Sequence, residues 1–387
     1  MTDKIIITAA KVEFDMNENK DVIKVLAVAD PAVRAYTDTR LNLLGEFPYP
    51  VQFDVFPWDV YYKTMCDVFE GKEYYDVIMA AGHLWKRELV QNNNIVPINF
   101  NRNEIAESIG NEMYYNGNAY LSPSFCDGHM ILFSKSIFEK ENIHFSGMII
   151  KPQEYIDAAE KLHKAGYTIP MKAAKSEIFT DALVFMRMYG KDVYDSETHE
   201  IQCDSEEVIS GLEKYLSLRE YAFENTYTFG NDEVAKALRD GTSPLGVTWS
   251  GQMGVVLDSG CKCRDDFGFA TFDTAWNVTW SFAVTEKSTQ KEKADRLLEF
   301  LRSRNVDKKA GAVSGAPVRV FNYISGMKDY PWYDCQLKMI QNAKPLPDIK
   351  NAGDKNACLY DEIYNAFIGR KMAAQAMKDA AAAIRNL

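Results

Sequence analysis

The chain has 387 residues, of which 47% are hydrophobic and 26% are charged, and its 44 basic and 55 acidic residues give a net charge of −11. This composition excludes an intrinsically disordered chain and is typical of a soluble globular protein, and the length predicts two domains or lobes. An acidic chain without a Lys/Arg stripe is not expected to bind nucleic acid. No apolar run approaches the roughly 18–20 residues that a bilayer crossing needs.

Strands and helices alternate over the first ninety residues. The predicted strands are Val22–Ala29, Val51–Phe56 and Val77–Ala81, and the predicted helices are Val33–Leu44, Val60–Phe69 and a segment from His83 through Val90. Strand–helix units in succession predict a parallel sheet with right-handed crossovers. The apolar run Val77–Ala81 is typical of a strand covered on both faces, and Lys4–Thr8 could add an extra strand.

Aromatic and charged residues follow each of these three strands. Asp30 comes after the first strand, Trp58 and Asp59 after the second, and His83 and Trp85 after the third. In parallel sheets, ligands bind outside the carboxyl ends of the strands, so we predict that these residues line a binding cleft. The alternative for Trp58 and Trp85 is simple packing against the helices that follow.

The remainder of the chain predicts a second α/β unit. Tyr120–Phe133 is a predicted strand that Pro123 and Gly128 interrupt, which marks an edge or a crossing between lobes. The other predicted elements are helices from Pro152, from about Ser288 and from Gly369, strands at Leu245–Gly251 and Val278–Val284, and a Gly/Pro connector at Ser314–Arg319.

Signatures of common catalytic sites are missing. The sequence contains no Gly-rich phosphate loop, no H-E-x-x-H and no G-x-S-x-G. Aromatic residues beside hydrogen-bonding groups, without a nucleophile motif, favour binding over catalysis, and no cofactor or metal is expected. A carboxylate-based glycosidase remains a remote alternative, because several carboxylates could converge in the fold: Asp30, Asp59, Asp127, Glu177 and Asp181.

Seven cysteines occur without regular spacing, and Cys261-Lys-Cys263 is their one close pair. A single pair with no second pair and no nearby His is a weak signal for zinc. We expect ordinary reduced thiols in a turn, and the number of thiols favours a reducing compartment.

Six segments, taken in chain order, carry a resemblance to a known family: Phe56–Lys63, Tyr75–Met79, Tyr120–Lys135, Thr279–Val284 with the helix after it, Ser314–Arg319 and Asn365–Leu387. Tyr75–Met79 looks like a "pDv" strand, and Ser314–Arg319 looks like a "G-x-P-x-R" connector. Together the segments resemble family 1 of the extracellular solute-binding proteins of ABC importers, the group typified by maltose-binding protein. The resemblance extends from about Val22 to Leu387.

The resemblance implies an α/β, two-lobed type II periplasmic-binding-protein fold with parallel-type sheets flanked by helices. Three interlobe crossings are expected near residues 120–125, 276–281 and 314–319. Lobe 1 would comprise residues 1–121 and 281–315, and lobe 2 residues 126–276 and 320–387. The ligand would bind between lobes that close around it like a hinge.

The implied function is non-catalytic binding of a mono- or oligosaccharide by a monomer that delivers it to an ABC transporter permease. Trp rings offer apolar faces to a sugar, and carboxylates and His bond its hydroxyls. The residues at family ligand positions are Asp30, Trp58, His83, Trp85, Glu177, Trp249, Trp276 and Trp280, and we add Asp59, Asp127 and Arg319 to the predicted ligand-binding set.

Some positions depart from the maltose-type pattern. Ile178 and Asn356 stand near places where maltose binders have aromatic platforms, and Trp249-Ser-Gly251 replaces a "G-P-W" turn. A sugar other than a maltodextrin is therefore expected.

The N-terminus has no apolar signal-peptide region, so the chain is either cytoplasmic or cut from a longer precursor. We predict an extracytoplasmic protein, either a cell-surface lipoprotein or a periplasmic protein. The alternative is a cytoplasmic ligand-sensing module of a regulator with the same fold.

Overall fold

The computed structural model describes Ile5–Thr8 and residues 22–387. The strands in these residues are β1 Ile5–Thr8, β2 Ile23–Val28, β3 Val51–Phe56, β4 Val77–Ala81, β5 Tyr114–Tyr115, β6 Asn118–Ala119, β7 Ser122–Ser134, β8 Ile149–Ile150, β9 Leu245–Trp249, β10 Phe267–Phe272 and β11 Asn277–Val284.

The α-helices are α1 Pro31–Thr37, α2 Trp58–Glu70, α3 Gly82–Gln91, α4 Glu107–Glu112, α5 Lys135–Lys140, α6 Pro152–Lys164, α7 Ile178–Met186, α8 Glu206–Ser217, α9 Asn231–Arg239, α10 Met253–Val256, α11 Lys291–Leu301, α12 Arg304–Ser314, α13 Val320–Gly326, α14 Tyr333–Asn342, α15 Ala352–Phe367 and α16 Ala373–Arg385. Short 3₁₀ helices lie at Leu43–Glu46, Leu218–Tyr221, Thr226–Thr228, Ser250–Gln252 and Arg264–Asp266. Within the described ranges, none of these helices has the length and apolar character needed to cross a bilayer.

The chain divides into two compact units, each built from separate stretches of sequence. Unit 1 is Met1–Asp127 with Val278–Tyr330, and unit 2 is Gly128–Asn277 with Pro331–Leu387. The chain therefore passes from one unit to the other at 127/128, 277/278 and 330/331.

The sheet of unit 1 has the order β1-β3-β2-β4-β11. As predicted, β2 is parallel to both β3 and β4, whereas β11 is antiparallel to β4. All five residues of β4 are fully buried, which confirms that this apolar run is covered on both faces. The predicted extra strand is also present, because β1 pairs antiparallel with β3.

In unit 2, β7 pairs antiparallel with β9 and β10, and β10 pairs parallel with β8. All nine residues of α7 are buried, and α7 packs against α8 at Gly211. A side chain at Gly211 would collide with the Phe185 carbonyl, so glycine is needed where these helices meet.

Two predicted elements are wrong. The helix predicted at Val33–Leu44 ends at Thr37, because Asp38 accepts hydrogen bonds from the backbone and side chain of Arg40 and Asn42 has left-handed backbone angles. The interruption predicted in Tyr120–Phe133 is absent, since β7 is continuous. Gly128 lies inside this strand, where a Cβ would collide with the Met339 side chain.

The third passage differs from the predicted crossing at 314–319, since α13 belongs to unit 1. The buried Asp307 carboxylate of α12 accepts hydrogen bonds from the backbone N–H of Val318 (2.9 Å) and of Arg319 (3.2 Å) and from the Asn322 amide (2.6 Å). These bonds hold the connector and the start of α13 against α12.

Candidate ligand-binding residues

An aromatic stack lies at the carboxyl ends of β3 and β4 in unit 1. Trp58 is the first residue of α2, directly after β3, and Trp85 lies in the first turn of α3, directly after β4. Their indoles stack at 5.6 Å with 23° between the ring planes. Tyr62, one helical turn after Trp58, stacks on the same Trp85 ring at 5.7 Å and 30°.

Trp280 of β11 extends this group. It pairs with Ala81 at the end of β4, and its ring meets Trp58 edge to face at 5.9 Å and 86°. Phe125 lies parallel to Trp280 at 6.3 Å. Nearly perpendicular indoles at positions 58 and 280 form a corner lined by two aromatic surfaces. We call Trp58, Tyr62, Trp85, Trp280 and Phe125 the aromatic cluster of unit 1.

The rings of this cluster differ in their exposure to solvent. Trp58 is 49% exposed and Tyr62 is 54% exposed, whereas Trp85 is only 8% exposed. Trp85 therefore packs beneath the two exposed rings, which is the packing alternative stated above for that residue. Trp58 and Tyr62 keep large apolar areas in water side by side on the same supporting ring, and adjacent exposed apolar surfaces mark candidate binding sites.

Polar groups predicted for the site occupy the same strand ends. Asp30 is partly buried just after β2, Asp59 is exposed beside Trp58 on α2, and His83 is partly exposed in the first turn of α3. Desolvation lowers the pKa of His83 to about 3. The imidazole is thus neutral at physiological pH and offers one donor and one acceptor, as recognition of hydroxyl groups requires.

Arg319 and Asp127 are less suited to ligand contact. The Arg319 guanidinium donates to the carbonyls of Arg302 (2.6 Å) and Asn103 (3.0 Å) and forms an ion pair with Glu104 at 3.2 Å. These contacts give Arg319 a structural task in unit 1. Asp127 is buried within β7. A ligand contact for either residue stays a prediction.

Unit 2 brings Trp249 and Trp276 together around His129. Trp249 ends β9 and pairs with His129 of β7, and the two rings are 4.7 Å apart. Trp276 meets Trp249 edge to face at 5.3 Å. Both indoles are buried, at 7% and 2% exposure, and burial lowers the pKa of His129 to about 3.

A buried charge pair adjoins this ring cluster. The Lys172 ammonium lies 4.1 Å from the centre of the Trp249 ring and 3.9 Å from the Asp181 carboxylate, and Tyr215 donates to Asp181 at 3.3 Å. Burial raises the pKa of Asp181 to about 6, although Lys172 opposes the shift.

Glu177 stands just before α7, and the Asn231 amide donates to it at 3.4 Å. Burial raises its pKa. Among the residues that the structure describes, no group of three or more His, Cys, Asp and Glu side chains could hold a metal ion.

Sequence analysis missed four residues of these clusters. The spacing of four between Trp58 and Tyr62 on a predicted helix was a usable signal for Tyr62. Phe125 and His129 lie in a strand without any motif. Lys172 had no signal at all, since lysine is almost never fully buried.

Residues 49–308 match the family described as bacterial extracellular solute-binding protein. This match covers more than half of the chain, and the chain belongs to that family. Its members are non-catalytic proteins that bind small solutes and deliver them to an ABC permease. The family is described as extracellular, which supports a place outside the cytoplasm.

The fold is shared with solved solute-binding proteins at low sequence identity. Maltose-bound MalE3 of T. maritima is 17% identical with a TM-score of 0.83, and the match covers 94% of this chain and 99% of that one. A protein of Thermotoga lettingae bound to α-D-tagatose is 16% identical with a TM-score of 0.82, covering 95% and 99%. A ribitol complex from Agrobacterium radiobacter is 15% identical with a TM-score of 0.82, covering 95% and 99%.

A curated relative matches over a shorter stretch. The protein y4oP of Sinorhizobium fredii, named a probable amino-acid ABC transporter periplasmic-binding protein, is 28% identical over 156 residues. The match covers 38% of this chain and 35% of the relative's length. Two-lobed α/β architecture and family membership thus agree with the resemblance found in the sequence.

Proposed function

We propose that the protein binds a sugar or a polyol and delivers it to an ABC importer, with the exposed rings of Trp58 and Tyr62 as the main contact surface. The observation that carries this proposal is the stacking of both rings on the buried Trp85. Rings held in this way lose little conformational freedom on binding, and their outer faces can take the C–H face of a carbohydrate.

Hydrogen-bonding groups beside the rings fit the same ligand class. Neutral His83 can donate and accept, while Asp30 and Asp59 can accept from hydroxyl groups. The similar solved structures hold maltose, α-D-tagatose and ribitol, and this supports a polyhydroxylated ligand without choosing among sugars and polyols. That the ligand lies between two closing lobes is implied by the resemblance and stays a prediction.

The proposal is tested by calorimetric titration with a panel of mono- and oligosaccharides, polyols and amino acids. We expect at least one sugar or polyol to bind and to be recovered unchanged. Binding of amino acids alone would replace the carbohydrate assignment with the ligand class in the name of the Sinorhizobium relative. Hydrolysis of a bound glycan would contradict a non-catalytic role.

Trp58→Ala is the sharpest variant, with Tyr189→Ala as the control. Loss of about 100 Å² of ring contact at ~25 cal/mol per Å² is about 2.5 kcal/mol, or a roughly 60-fold weaker affinity. Tyr189 is 47% exposed in unit 2, close to the exposure of Trp58, and its removal is expected to leave affinity unchanged. Equal affinity of wild type and Trp58→Ala would exclude Trp58 from the site.

The place outside the cytoplasm is tested by fractionating the native host. Recovery of the protein in the cell-surface or periplasmic fraction is expected. Recovery in the cytoplasm would favour a ligand-sensing module of a regulator.

A further inference from the structure

Cys261 and Cys263 lie on the loop of unit 2 between α10 and β10. The other cysteines are far from them in sequence: three are buried (Cys126, Cys203 and Cys335), and two stand singly on helices (Cys66 on α2 and Cys358 on α15). Cys261 and Cys263 are both half-buried, so their thiols are accessible to small reagents. Nothing in ligand binding by the aromatic cluster of unit 1 uses them.

The loop that carries the two thiols is held in a turn. The Cys261 N–H donates to the Asp258 carbonyl at 3.1 Å, and the Asp266 N–H donates to the Cys263 carbonyl at 3.0 Å. Two extended residues span about 7 Å, which is at the limit of the Cα separation that a disulfide bridges. Lys262 and Cys263 themselves have turn conformation, and a turn places Cα atoms two residues apart closer together than an extended chain does.

Contacts with α9 fix the position of the same loop. Asp258 receives two hydrogen bonds from Arg239, at 2.9 and 2.8 Å, and the Lys262 N–H donates to the Arg239 carbonyl at 3.1 Å. The Cys263 thiol donates to the Leu238 carbonyl at 3.5 Å. These contacts anchor Asp258, Lys262 and the Cys263 thiol to the end of α9.

We propose that Cys261 and Cys263 are a redox modification site, which forms a reversible intrachain disulfide by exchange with a low-molecular-weight disulfide such as oxidised glutathione. The Cys261 thiolate attacks one sulfur of glutathione disulfide, its S–S bond breaks, and one glutathione leaves and takes up a proton. The Cys263 thiolate then attacks the Cys261 sulfur, and the second glutathione leaves in the same way. The protein loses two electrons and two protons, and two glutathione thiols are formed.

The order of attack follows from the surroundings of Cys263. The Cys263 thiol is bonded to the Leu238 carbonyl and burial raises its pKa, so Cys263 acts second, from within the loop. A disulfide ring with only one residue between its two cysteines is small and strained, and strained, accessible disulfides are readily reduced. The bond is therefore expected to be labile and to be reversed by dithiothreitol.

The sequence supplies a direct readout of this bond. Trypsin cleaves after Lys262, so reduced and alkylated protein yields the separate peptides Asp240–Lys262 and Cys263–Arg264. After incubation with oxidised glutathione, alkylation and digestion, we expect both cysteines in one species, unalkylated and two hydrogen atoms lighter than the reduced form. This holds whether or not trypsin cuts inside the ring.

Cys263→Ser is the control variant, because it can complete only the first exchange. It is expected to stop as a glutathione adduct on Cys261, and the lone thiols Cys66 and Cys358 serve as internal references in the same digest. The proposal is overturned if both peptides of the wild type are recovered alkylated. It is equally overturned if the wild type stops at the glutathione adduct, as the variant does.

Discussion

The Trp85 indole stacks beneath Trp58 at 5.6 Å, and one ring is buried while the other remains 49% exposed. The packing role of Trp85 and the proposed binding role of Trp58 thus belong to different members of one aromatic pair. Trp85 fills space between α2 and α3, and Trp58 presents a surface to solvent. This arrangement predicts unequal losses of stability for two chemically identical truncations.

Trp85→Ala is expected to destabilise the protein by roughly 3–5 kcal/mol, the range for truncating a buried aromatic residue. Trp58→Ala is expected to lower the melting temperature only slightly, because half of its surface is already in water. Thermal unfolding of both variants beside the wild type measures the contrast. Equal losses of stability would show that the two indoles share the packing role.

The buried pair Lys172–Asp181 in unit 2 predicts strong non-additivity. Lys172→Met leaves Asp181 buried without its cation, and Asp181→Leu leaves the ammonium without its carboxylate, so each is expected to cost roughly 3–5 kcal/mol. The double variant is expected to cost less than either single one. Thermal unfolding of the wild type, both single variants and the double variant gives the coupling free energy between the two charges.

Lys175→Met is the matched control, because that lysine is 60% exposed in its ion pair with Asp361. It is expected to change the melting temperature little. Additive effects of the two substitutions at Lys172 and Asp181 would show that the charges act independently despite their 3.9 Å separation.

Stability is expected to depend on pH through Asp307. Burial raises the pKa of this carboxyl to about 6 in the folded protein, above its ordinary value near 4. Between these values the folded state binds more protons than the unfolded state, so this group's contribution to stability is lost as pH rises from about 4 to 6.

Asp307→Asn isolates this effect from other titrating groups. The difference in unfolding free energy between wild type and variant is expected to shrink by roughly 2 kcal/mol from pH 4 to pH 7, since one pKa unit equals 1.36 kcal/mol and the unfolded carboxyl is already half ionised at pH 4. Urea unfolding at several pH values gives the difference. A constant or growing difference would mean that Asp307 is not protonated in the folded state at pH 4.

Arg319 offers a test that separates structure from binding. Its guanidinium bonds two backbone carbonyls and Glu104, so Arg319→Met is expected to cost roughly 2–3 kcal/mol of stability, the order expected for charged hydrogen bonds. The ligand affinity of Arg319→Met, measured under conditions in which the variant is fully folded, is expected to be unchanged. Arg40→Met, which removes an exposed pair with Asp38, is the control. A weaker affinity of the Arg319→Met variant, with its stability unchanged, would support the predicted ligand contact of Arg319.

Local patterns predict the sheet of unit 1 well. The strand limits of β2, β3 and β4 and the parallel pairing agree with expectation because period, apolar runs and turn residues coincide there. The end of α1 escaped prediction, since apolar spacing continues to Leu44 while the Asp38 side chain stabilises a turn. Whether the helix continues or the turn forms depends on one side chain, and the spacing of apolar residues does not report it.

Side-chain roles are harder to predict than strand positions. Trp58 and Trp85 follow strands in the same way, yet only packing depth separates a surface ring from a supporting one. Trp249 and Trp276, predicted as ligand residues, are buried beside His129, and their ligand role stays a prediction. The burial of Lys172 could not be predicted from the sequence, because it depends on Trp249, which is distant along the chain, as well as on Asp181 nearby.

The pairing of β1 with β3 also determines how the sheet of unit 1 ends. Ile5–Thr8 covers backbone groups of β3 from Gln52 to Val55, which would otherwise form an open edge. Open, apolar strand edges promote self-association between molecules. A variant without residues 5–8 is therefore expected to form aggregates on storage sooner than the wild type, and β1 serves colloidal stability as well as folding.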